Sequence, residues 1–254
     1  MKQNRIQQNF SRAADAYDGH AKFQQQQSRR VYEMAKQVLP EIAHIADIGC
    51  GTGQFALNAA ALRPQWHITG IDFSEGMAHH AAKRCSHVLV GNATALPLAD
   101  GSMDGIVSSL CMQWVENKPG MLAEIRRVLK PQGQAMLSTL ADRTLWELRE
   151  AGVAAGISVS LLPMLAAKDY RMLADRSGMN VAGFQQTVEV DQYQSVETLL
   201  RSIRAIGAGS AEGRRSVIPP RRFARMIQHY EASHGDGQHI RASWQPVLML
   251  LRKP

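Results

Sequence analysis

The stretch IADIGCGTG, residues 45–53, constrains the fold of this chain more than any other feature. It places glycines at positions 49, 51 and 53, directly after a short apolar run that contains Asp47. Glycine loses more backbone freedom on folding than other residues, so such a cluster is typical of tight geometry or of backbone that a ligand approaches closely. The pattern predicts a strand, a ligand-binding loop and a helix, in that order.

Apolar runs and helical patterns alternate around and after this loop. Strands are predicted at 44–48, 67–71, 87–90, 104–109 and 134–140, and helices at 53–62, 75–84 and 119–130. This alternation predicts an α/β fold, with a mostly parallel twisted sheet that has helices on both faces. Ligands of such open sheets bind at the carboxyl ends of the strands, where the glycine loop lies.

Helical patterns also flank this core. One helix is predicted over 4–38, and further helical signals cover 141–178, 194–207 and 219–233, with late strands at 181–190 and in the closing WQPVLMLL. We expect one domain over residues 1–254. Its predicted parts are an N-terminal helical cap (1–40), a cofactor-binding core (41–140), helical lid insertions (141–178 and 191–235) and late strands (179–190 and 244–254).

Composition narrows the class of protein. The chain is 45% hydrophobic and 20% charged, as in ordinary globular proteins. It has no apolar run near the roughly 18 residues that a membrane span needs, and its N-terminus lacks the apolar core of a signal peptide. We therefore expect a cytoplasmic protein. The three cysteines, Cys50, Cys85 and Cys111, give neither a disulfide framework nor a zinc-binding spacing, and no metal site is predicted.

The net charge of +7 is unevenly distributed. Seven arginines, at 201, 204, 214, 215, 221, 222 and 225, face one acid, Glu212, between Arg201 and Arg225. This local excess favours an anionic partner, but it is equally compatible with a solvated pair of helices.

A second acid, Asp72, helps to identify the class of ligand that the loop binds. Asp72 ends the second predicted strand, 19 residues after Gly53. A dinucleotide site would need its third glycine one residue later, and Asp47 would repel a pyrophosphate. An acid in that place suits a cationic ligand.

This combination resembles the class I S-adenosylmethionine-dependent methyltransferases. ADIGCGTG is similar to their motif I, which implies that Asp47 lies near the amino group of S-adenosylmethionine and that Gly49, Cys50 and Gly51 pass its aminocarboxypropyl part. Asp72 in GIDFS is similar to the acid that binds both ribose hydroxyls. GNA at 91–93 resembles the segment that lies at the edge of the adenine ring in these enzymes, with Asn92 where many relatives carry aspartate. The same resemblance implies further cofactor contacts from Phe73, Met77, Ala93 and Ser109.

Three longer stretches resemble the malonyl-acyl-carrier-protein O-methyltransferases of biotin synthesis, from about residue 8 to the last strand. They are FSRAADAYDGHAKFQQQ, SSLCMQWVEN and LLRSIRAIGA, whereas GSAEGRRSVIPPRR departs from the family pattern. The resemblance implies methyl transfer to the free carboxylate of a malonyl thioester. Its implied partner is malonyl-loaded acyl-carrier protein or malonyl-coenzyme A, with no nucleic acid and no membrane, and a monomer is expected.

The same resemblance suggests roles for single residues. Tyr17, His20 and Gln24 share one helical face and are expected to close over the cofactor, although this face could equally pack the helix. Tyr17, Gln113 and Trp114 are the catalytic candidates, and Trp114, Arg201 and Arg204 are expected to bind the substrate. Carrier docking is assigned to the outer arginines, Arg214, Arg215, Arg221 and Arg222.

Other functions stay open at this stage. They are methylation of another small carboxylate, quinone-type C-methylation, RNA methylation and a non-catalytic cofactor-binding scaffold. The arginine cluster favours RNA, but few aromatic residues interleave with it, and SSLCMQW replaces the Pro-Pro tetrapeptide typical of base amino-group methylation.

Overall fold

A computed structural model describes residues 2–159, 161–208 and 218–254. Its helices are α1 (Lys2–His20), α2 (Lys22–Val38), α3 (Gln54–Ala59), α4 (Glu75–Ala81), α5 (Lys118–Val128), α6 (Trp146–Ala154), α7 (Ala167–Asp175), α8 (Val196–Ala205) and α9 (Pro220–His234). Its strands are β1 (Ala43–Ile48), β2 (Trp66–Asp72), β3 (His87–Val90), β4 (Met103–Ser109), β5 (Leu129–Leu140), β6 (Asn180–Gln186), β7 (Glu189–Tyr193), β8 (Ile240–Trp244) and β9 (Pro246–Arg252).

The main sheet has the strand order β3-β2-β1-β4-β5-β9-β6. Strands β1 to β5 are parallel, and β9 runs antiparallel to both of its neighbours. Only His44 of β1 is exposed, because a parallel strand in the middle of a sheet is covered on both faces. The strand order reverses between β1 and β4, which places a ligand crevice at the carboxyl ends of these two strands.

Helices cover both faces of this sheet. On one face, Val31, Tyr32 and Ala35 of α2 pack with Phe55 of α3. On the other face, Met121, Leu122 and Ile125 of α5 pack with Tyr170 and Ala174 of α7. The mostly parallel sheet with helices on both faces is therefore confirmed.

A lid lies over the carboxyl ends of β4 and β5. It consists of a separate antiparallel pair, β7 and β8, with α6, α8 and α9. Leu148, Leu199 and Tyr230 form its fully buried interior, which also contacts Leu110 and Leu140 at the strand ends. Helices thus lie between the late strands, as the sequence predicts.

Two predicted elements are wrong in detail. The helix predicted over 4–38 is two helices that break at the fully buried Ala21, whose φ is −92° and ψ is 37°. Gly19 stands two residues before the break, but the predicted helix runs through it.

The late strands also differ from the prediction. The strand predicted at 181–190 is β6 and β7, which lie in different sheets. The predicted closing strand is β9, whereas β8 ends at Trp244, lies almost entirely before the predicted strand and belongs to the smaller sheet. Gln245 forms the corner between β8 and β9, because its side-chain oxygen accepts from Arg143 N at 3.0 Å and its own N–H donates to Thr144 Oγ1 at 3.1 Å. The division of residues 1–254 into one domain with a cap, a core and two insertions stays a prediction.

Within the ranges given above, no helix has both the length and the apolar character that crossing a membrane requires.

Candidate active site

The glycine loop after β1 has left-handed backbone at each of its glycines. The φ angles of Gly49, Gly51 and Gly53 are 70°, 54° and 84°, values that L side chains rarely adopt. Gly49 also passes so close to the chain after β4 that an added Cβ would lie 2.5 Å from the Cβ of Cys111. Its N–H donates to Ile71 O at 2.7 Å. Both space and conformation therefore require glycine at position 49.

Asp72 joins this loop to the loop after β2. Its Oδ2 accepts from Gly51 N at 2.9 Å, and its Oδ1 accepts from Ser74 N at 2.8 Å. The carboxylate is buried, which raises the pKa of Asp72 to about 6, although the N–H groups of Ser74 and Gly51 oppose the shift. Asp72 therefore holds two strand-end loops in register beside the crevice.

Asp47 is a second buried acid close to the first. Burial, together with the negative charge of Asp72, raises the pKa of Asp47 to about 8. The side chain lines a cleft of about 420 Å³ with Tyr17, Gly49 and Gly51. A nearby cation favours the ionised form of an acid, so this pair of buried acids suits a cationic ligand.

Helix α1 closes over both loops through polar contacts. Asp18 accepts from Thr52 Oγ1 at 2.6 Å and from Arg84 Nη2 at 2.7 Å. Nearer its start, Ser11 Oγ lies 2.8 Å from Ser74 Oγ, and Gln7 Nε2 donates to Phe73 O at 2.6 Å. The cap is thus attached to the loops at the ends of both β1 and β2.

A larger cavity of about 1040 Å³ adjoins the cleft and shares Tyr17, Gln24 and Ser109 with it. Gly49, Gly51, Asp72, Phe73 and Met77 line one end of this cavity. The other end, the apolar chamber, is lined by residues that lie far apart in the sequence: Leu140, Leu145, Leu161, Leu162, Met164, Ile203, Ile206 and Trp244.

The chain after β4 also lines this cavity. Gln113 is buried and both ends of its amide are used, since Nε2 donates to Leu110 O at 2.8 Å and Oε1 accepts from Thr139 Oγ1 at 3.0 Å. This bonding fixes the short 3-10 turn that presents Trp114 to the cavity. Trp114 packs edge-to-face on Phe10 of the cap, with ring centroids 5.2 Å apart.

Two titratable groups that line the cavity, Tyr17 and Cys111, stay in their neutral forms. Burial beside Asp72 and Asp18 raises the pKa of Tyr17 well above its usual range. Burial also raises the pKa of the Cys111 thiol to about 12. Tyr17 therefore keeps a phenolic O–H for donation, and Cys111 lacks the thiolate character of a nucleophilic cysteine.

Most of the predicted cofactor residues lie together. Ten of them line the cleft or the larger cavity: Tyr17, Gln24, Asp47, Gly49, Cys50, Gly51, Asp72, Phe73, Met77 and Ser109. His20 is exposed and lies instead beside a separate groove. Asn92 and Ala93 line none of these cavities, and Asn92 Oδ1 accepts from the N–H and hydroxyl of Thr94, both at 3.0 Å. Their adenine contact stays a prediction.

The predicted arginines lie outside the cavity. Arg201 and Arg204 are exposed on α8, and it is Ile203 and Ile206 that line the cavity. In this arrangement of the described residues, Arg201 does not line the cavity, so the expected contact between Arg201 and a buried carboxylate is not seen. Arg221 and Arg222 are exposed on α9, whereas Arg214 and Arg215 lie outside the described residues.

The residues of the apolar chamber are the ones that sequence reasoning missed. Leu145, for example, has a φ of 54°, and its N–H donates to Ser243 O at 2.7 Å, which turns the chain at the chamber wall. Nothing in the sequence marks this leucine as different from a core leucine.

In the part of the chain that the structure describes, no three His, Cys, Asp or Glu side chains are grouped so that they could hold a metal ion.

The site fits S-adenosylmethionine by its chemistry. The glycine backbone leaves room for close approach, buried acids suit a cationic ligand and a diol, and Phe73 and Met77 offer apolar surface beside Asp72. A methyltransferase domain family model matches residues 46–137. Geranyl diphosphate C-methyltransferase from Streptomyces coelicolor shares the fold over 88% of this chain and 78% of its own, with a TM-score of 0.54 at 13% identity. The fold and the site thus define a class I S-adenosylmethionine-dependent methyltransferase.

Sequence relatives narrow this class. The chain is 36% identical to the malonyl-[acyl-carrier protein] O-methyltransferase of Dechloromonas aromatica, over 85% of this chain and 82% of that protein. It is 30% identical to the biotin biosynthesis bifunctional protein BioHC of Teredinibacter turnerae, over 100% of this chain but only 47% of that protein. The chain belongs to the malonyl-[acyl-carrier protein] O-methyltransferase family.

Proposed function

We propose that this protein methylates the free carboxylate of a malonyl thioester, preferably malonyl-acyl-carrier protein, as a step of biotin synthesis. Family membership supports this activity, and the printed name of the Teredinibacter turnerae relative supports the pathway. The structural observation that carries the proposal is the apolar chamber, because it adjoins the cofactor end of the same cavity.

The acceptor chemistry needs little from the protein. A carboxylic acid has a pKa near 4, so a malonyl carboxylate is already ionised at neutral pH and needs no general base. When bound, S-adenosylmethionine supplies a methyl group on a sulfonium, and a carboxylate oxygen can attack the carbon of that methyl group directly. The protein's task is to orient the acceptor and exclude water, which contributes up to roughly 7–11 kcal/mol.

The chamber wall suits that task. Leu140, Leu145 and Ile206 surround the acceptor end of the cavity with aliphatic groups, which remove water from a bound carboxylate. A carboxylate without its hydration shell interacts more strongly with a nearby positive charge, because the local dielectric is low. The apolar lining therefore increases the attraction between acceptor and cofactor at the reacting end.

Three polar or aromatic groups are proposed to align the reactants. Tyr17 lies where the cleft and the larger cavity meet, and its neutral phenol can donate a hydrogen bond there. Trp114 supplies a flat wall, and Gln113 acts through it as a positioning residue, since its amide already bonds to Leu110 and Thr139.

The exposed arginines are proposed to meet the carrier. Acyl-carrier proteins are acidic, and Arg201, Arg204, Arg221 and Arg222 present guanidinium groups on the outer surface of the lid. Exposed charges of this kind mainly raise association rates and give them a salt dependence. The monomeric state, the cytoplasmic location and the lack of a nucleic-acid partner stay predictions.

A side-by-side transfer assay tests the proposal. The purified protein receives S-adenosylmethionine with a labelled methyl group and one of four acceptors: malonyl-acyl-carrier protein, acetyl-acyl-carrier protein, malonyl-coenzyme A or an RNA pool. We expect a methyl ester on the malonyl group and no label on the acetyl control, which has no free carboxylate. The activity should survive EDTA, because the carboxylate route needs no metal. Label in RNA, or an activity that EDTA removes and magnesium or zinc restores, would contradict the proposal.

A further inference from the structure

A second groove, of about 840 Å³, adjoins the apolar chamber and shares part of its lining. It lies between the start of α2, strand β7 and helix α8, and its outer part is lined by Lys22, Gln26, Gln192, Tyr193 and Ser202. We call it the arm groove. Gln24, Ile203, Ile206 and Trp244 line both the groove and the larger cavity, so these residues form a shared wall.

The chemistry of the arm groove changes along its length. At the shared wall, Trp244 stacks on Phe23, with ring centroids 4.7 Å apart and an interplanar angle of 22°. Gln26, Gln192 and Ser202 also line the groove, and the Ser202 hydroxyl, which donates to Leu199 O at 2.8 Å, can still accept a hydrogen bond. The outside end of the groove therefore offers hydrogen-bonding groups, and its inside end is flat and apolar.

The charged residues make the two sides of the groove different in electrostatic potential. Lys22 is exposed at the start of α2, and it makes no hydrogen bond or ion pair with the residues that the structure describes. Asp191 lies on the β7 side, half-buried, and the negative charge of Glu189 is close to it. An anionic group in the groove is therefore attracted to the Lys22 end and repelled from the β7 side.

We propose that the arm groove holds the phosphopantetheine arm of the malonyl thioester. Its phosphate would lie at Lys22, its two amides along Gln26, Gln192 and Ser202, and its thioester at the Trp244 wall. This inference rests on the proposed function. Phosphopantetheine is common to acyl-carrier protein and coenzyme A, so the groove serves either source.

A substitution that fills the groove tests the proposal. Ser202 lines the groove but not the larger cavity, so Ser202→Trp narrows only the path of the arm. Three acceptors are compared: malonyl-acyl-carrier protein, malonyl-coenzyme A and the malonyl thioester of N-acetylcysteamine, which lacks the phosphate and most of the arm. We expect kcat/KM for both full-length acceptors, relative to the truncated one, to fall about tenfold or more.

The matched control is Glu197→Trp, which adds the same bulk to an exposed position of α8 outside the groove. It should keep the parent ratio, and thermal unfolding checks that both variants fold. An unchanged ratio for Ser202→Trp would overturn the groove assignment. If the parent protein methylates none of the three acceptors, the proposed function fails instead. The acceptor with the higher kcat/KM identifies carrier protein or coenzyme A as the source.

A second comparison tests the phosphate end. Malonyl-phosphopantetheine and malonyl-pantetheine differ only in the phosphate, and we expect the parent protein to show about a threefold or larger KM advantage for the phosphorylated form. Lys22→Gln should bring the ratio of the two KM values close to one. Arg29→Gln removes another exposed cation of α2 that does not line the groove, so it should preserve the ratio. Equal ratios in all three proteins would place the phosphate elsewhere.

Discussion

The cofactor end and the apolar chamber are two ends of one cavity, but they are built in different ways. The cofactor end comes from short loops after β1 and β2, which are held by backbone N–H groups on one carboxylate, Asp72. The chamber comes from segments as far apart as Leu140 and Trp244, which are held by apolar packing and by a few polar contacts behind it. Substitutions at the first end should therefore change cofactor affinity, and those behind the second should change the stability of the lid.

The largest expected effect is at the cofactor end. Asp72→Ala removes the acceptor of two backbone N–H groups and the predicted partner of the ribose. Hydrogen bonds to charged groups contribute about 1.5–3 kcal/mol each, so the affinity for S-adenosylmethionine should fall about a hundredfold or more. Titration calorimetry measures this change. Asp100→Ala, which removes an exposed carboxylate paired with Arg127, should bind like the parent. A folded Asp72→Ala variant with parent affinity would refute the role of this acid.

The second effect belongs to the lid. Glu147 is fully buried, and its carboxylate accepts from both the N–H and the hydroxyl of Ser243, which joins α6 to β8. Glu147→Ala leaves these donors unpaired, so the free energy of unfolding should fall by about 1–3 kcal/mol. Urea unfolding measures it.

The control for this prediction is Glu150→Ala, because Glu150 also lies on α6 but is largely exposed, and it contacts His234 of α9. It should cost less stability than Glu147→Ala. Cofactor affinity of the folded Glu147→Ala protein should match the parent. If affinity falls and stability does not, the two ends of the cavity are not separable as described.

A third prediction concerns pH at the cofactor end. The pKa of Asp47 is about 8 in the folded protein against an ordinary value of 3.8, so its stabilising contribution is complete below about pH 4 and is lost as pH rises through about 8. A cationic ligand favours the ionised form, so binding should release a proton. Affinity for S-adenosylmethionine should rise more than about tenfold between about pH 6 and pH 8.

Calorimetry in two buffers of different ionisation enthalpy detects the released proton. Asp47→Asn cannot titrate, so it should flatten the upper part of this pH dependence. An Asp47→Asn protein whose affinity has the parent's pH profile would show that another group titrates.

The smallest expected effect concerns the cap. Asp18→Ala removes the contacts of α1 to Thr52 and Arg84, so the cofactor should dissociate about three to five times faster in stopped-flow experiments. Asp15→Ala breaks a more exposed hydrogen bond, between Asp15 and His80, and should change the rate less than about twofold. Equal rates in the two variants would mean that the cap does not limit release.

Some of the architecture was predictable and some was not. The five core strands follow from apolar runs, since a buried parallel strand has a nearly continuous apolar sequence. The break of the cap at Ala21 and the corner at Gln245 were missed. The corner depends on contacts with residues far along the chain, because Gln245 bonds to Arg143 and Thr144.

The sequence by itself determined the cofactor end of this protein. This end could be recognised from the glycines at 49, 51 and 53 and the acid at 72, because a parallel sheet brings the ends of neighbouring strands to the same edge. Only the tertiary structure decided the apolar chamber and the groove beside it. Leu145, Ile206 and Trp244 have the same chemical character in a packed core as in a cavity wall, and the choice between the two is made by how distant segments pack.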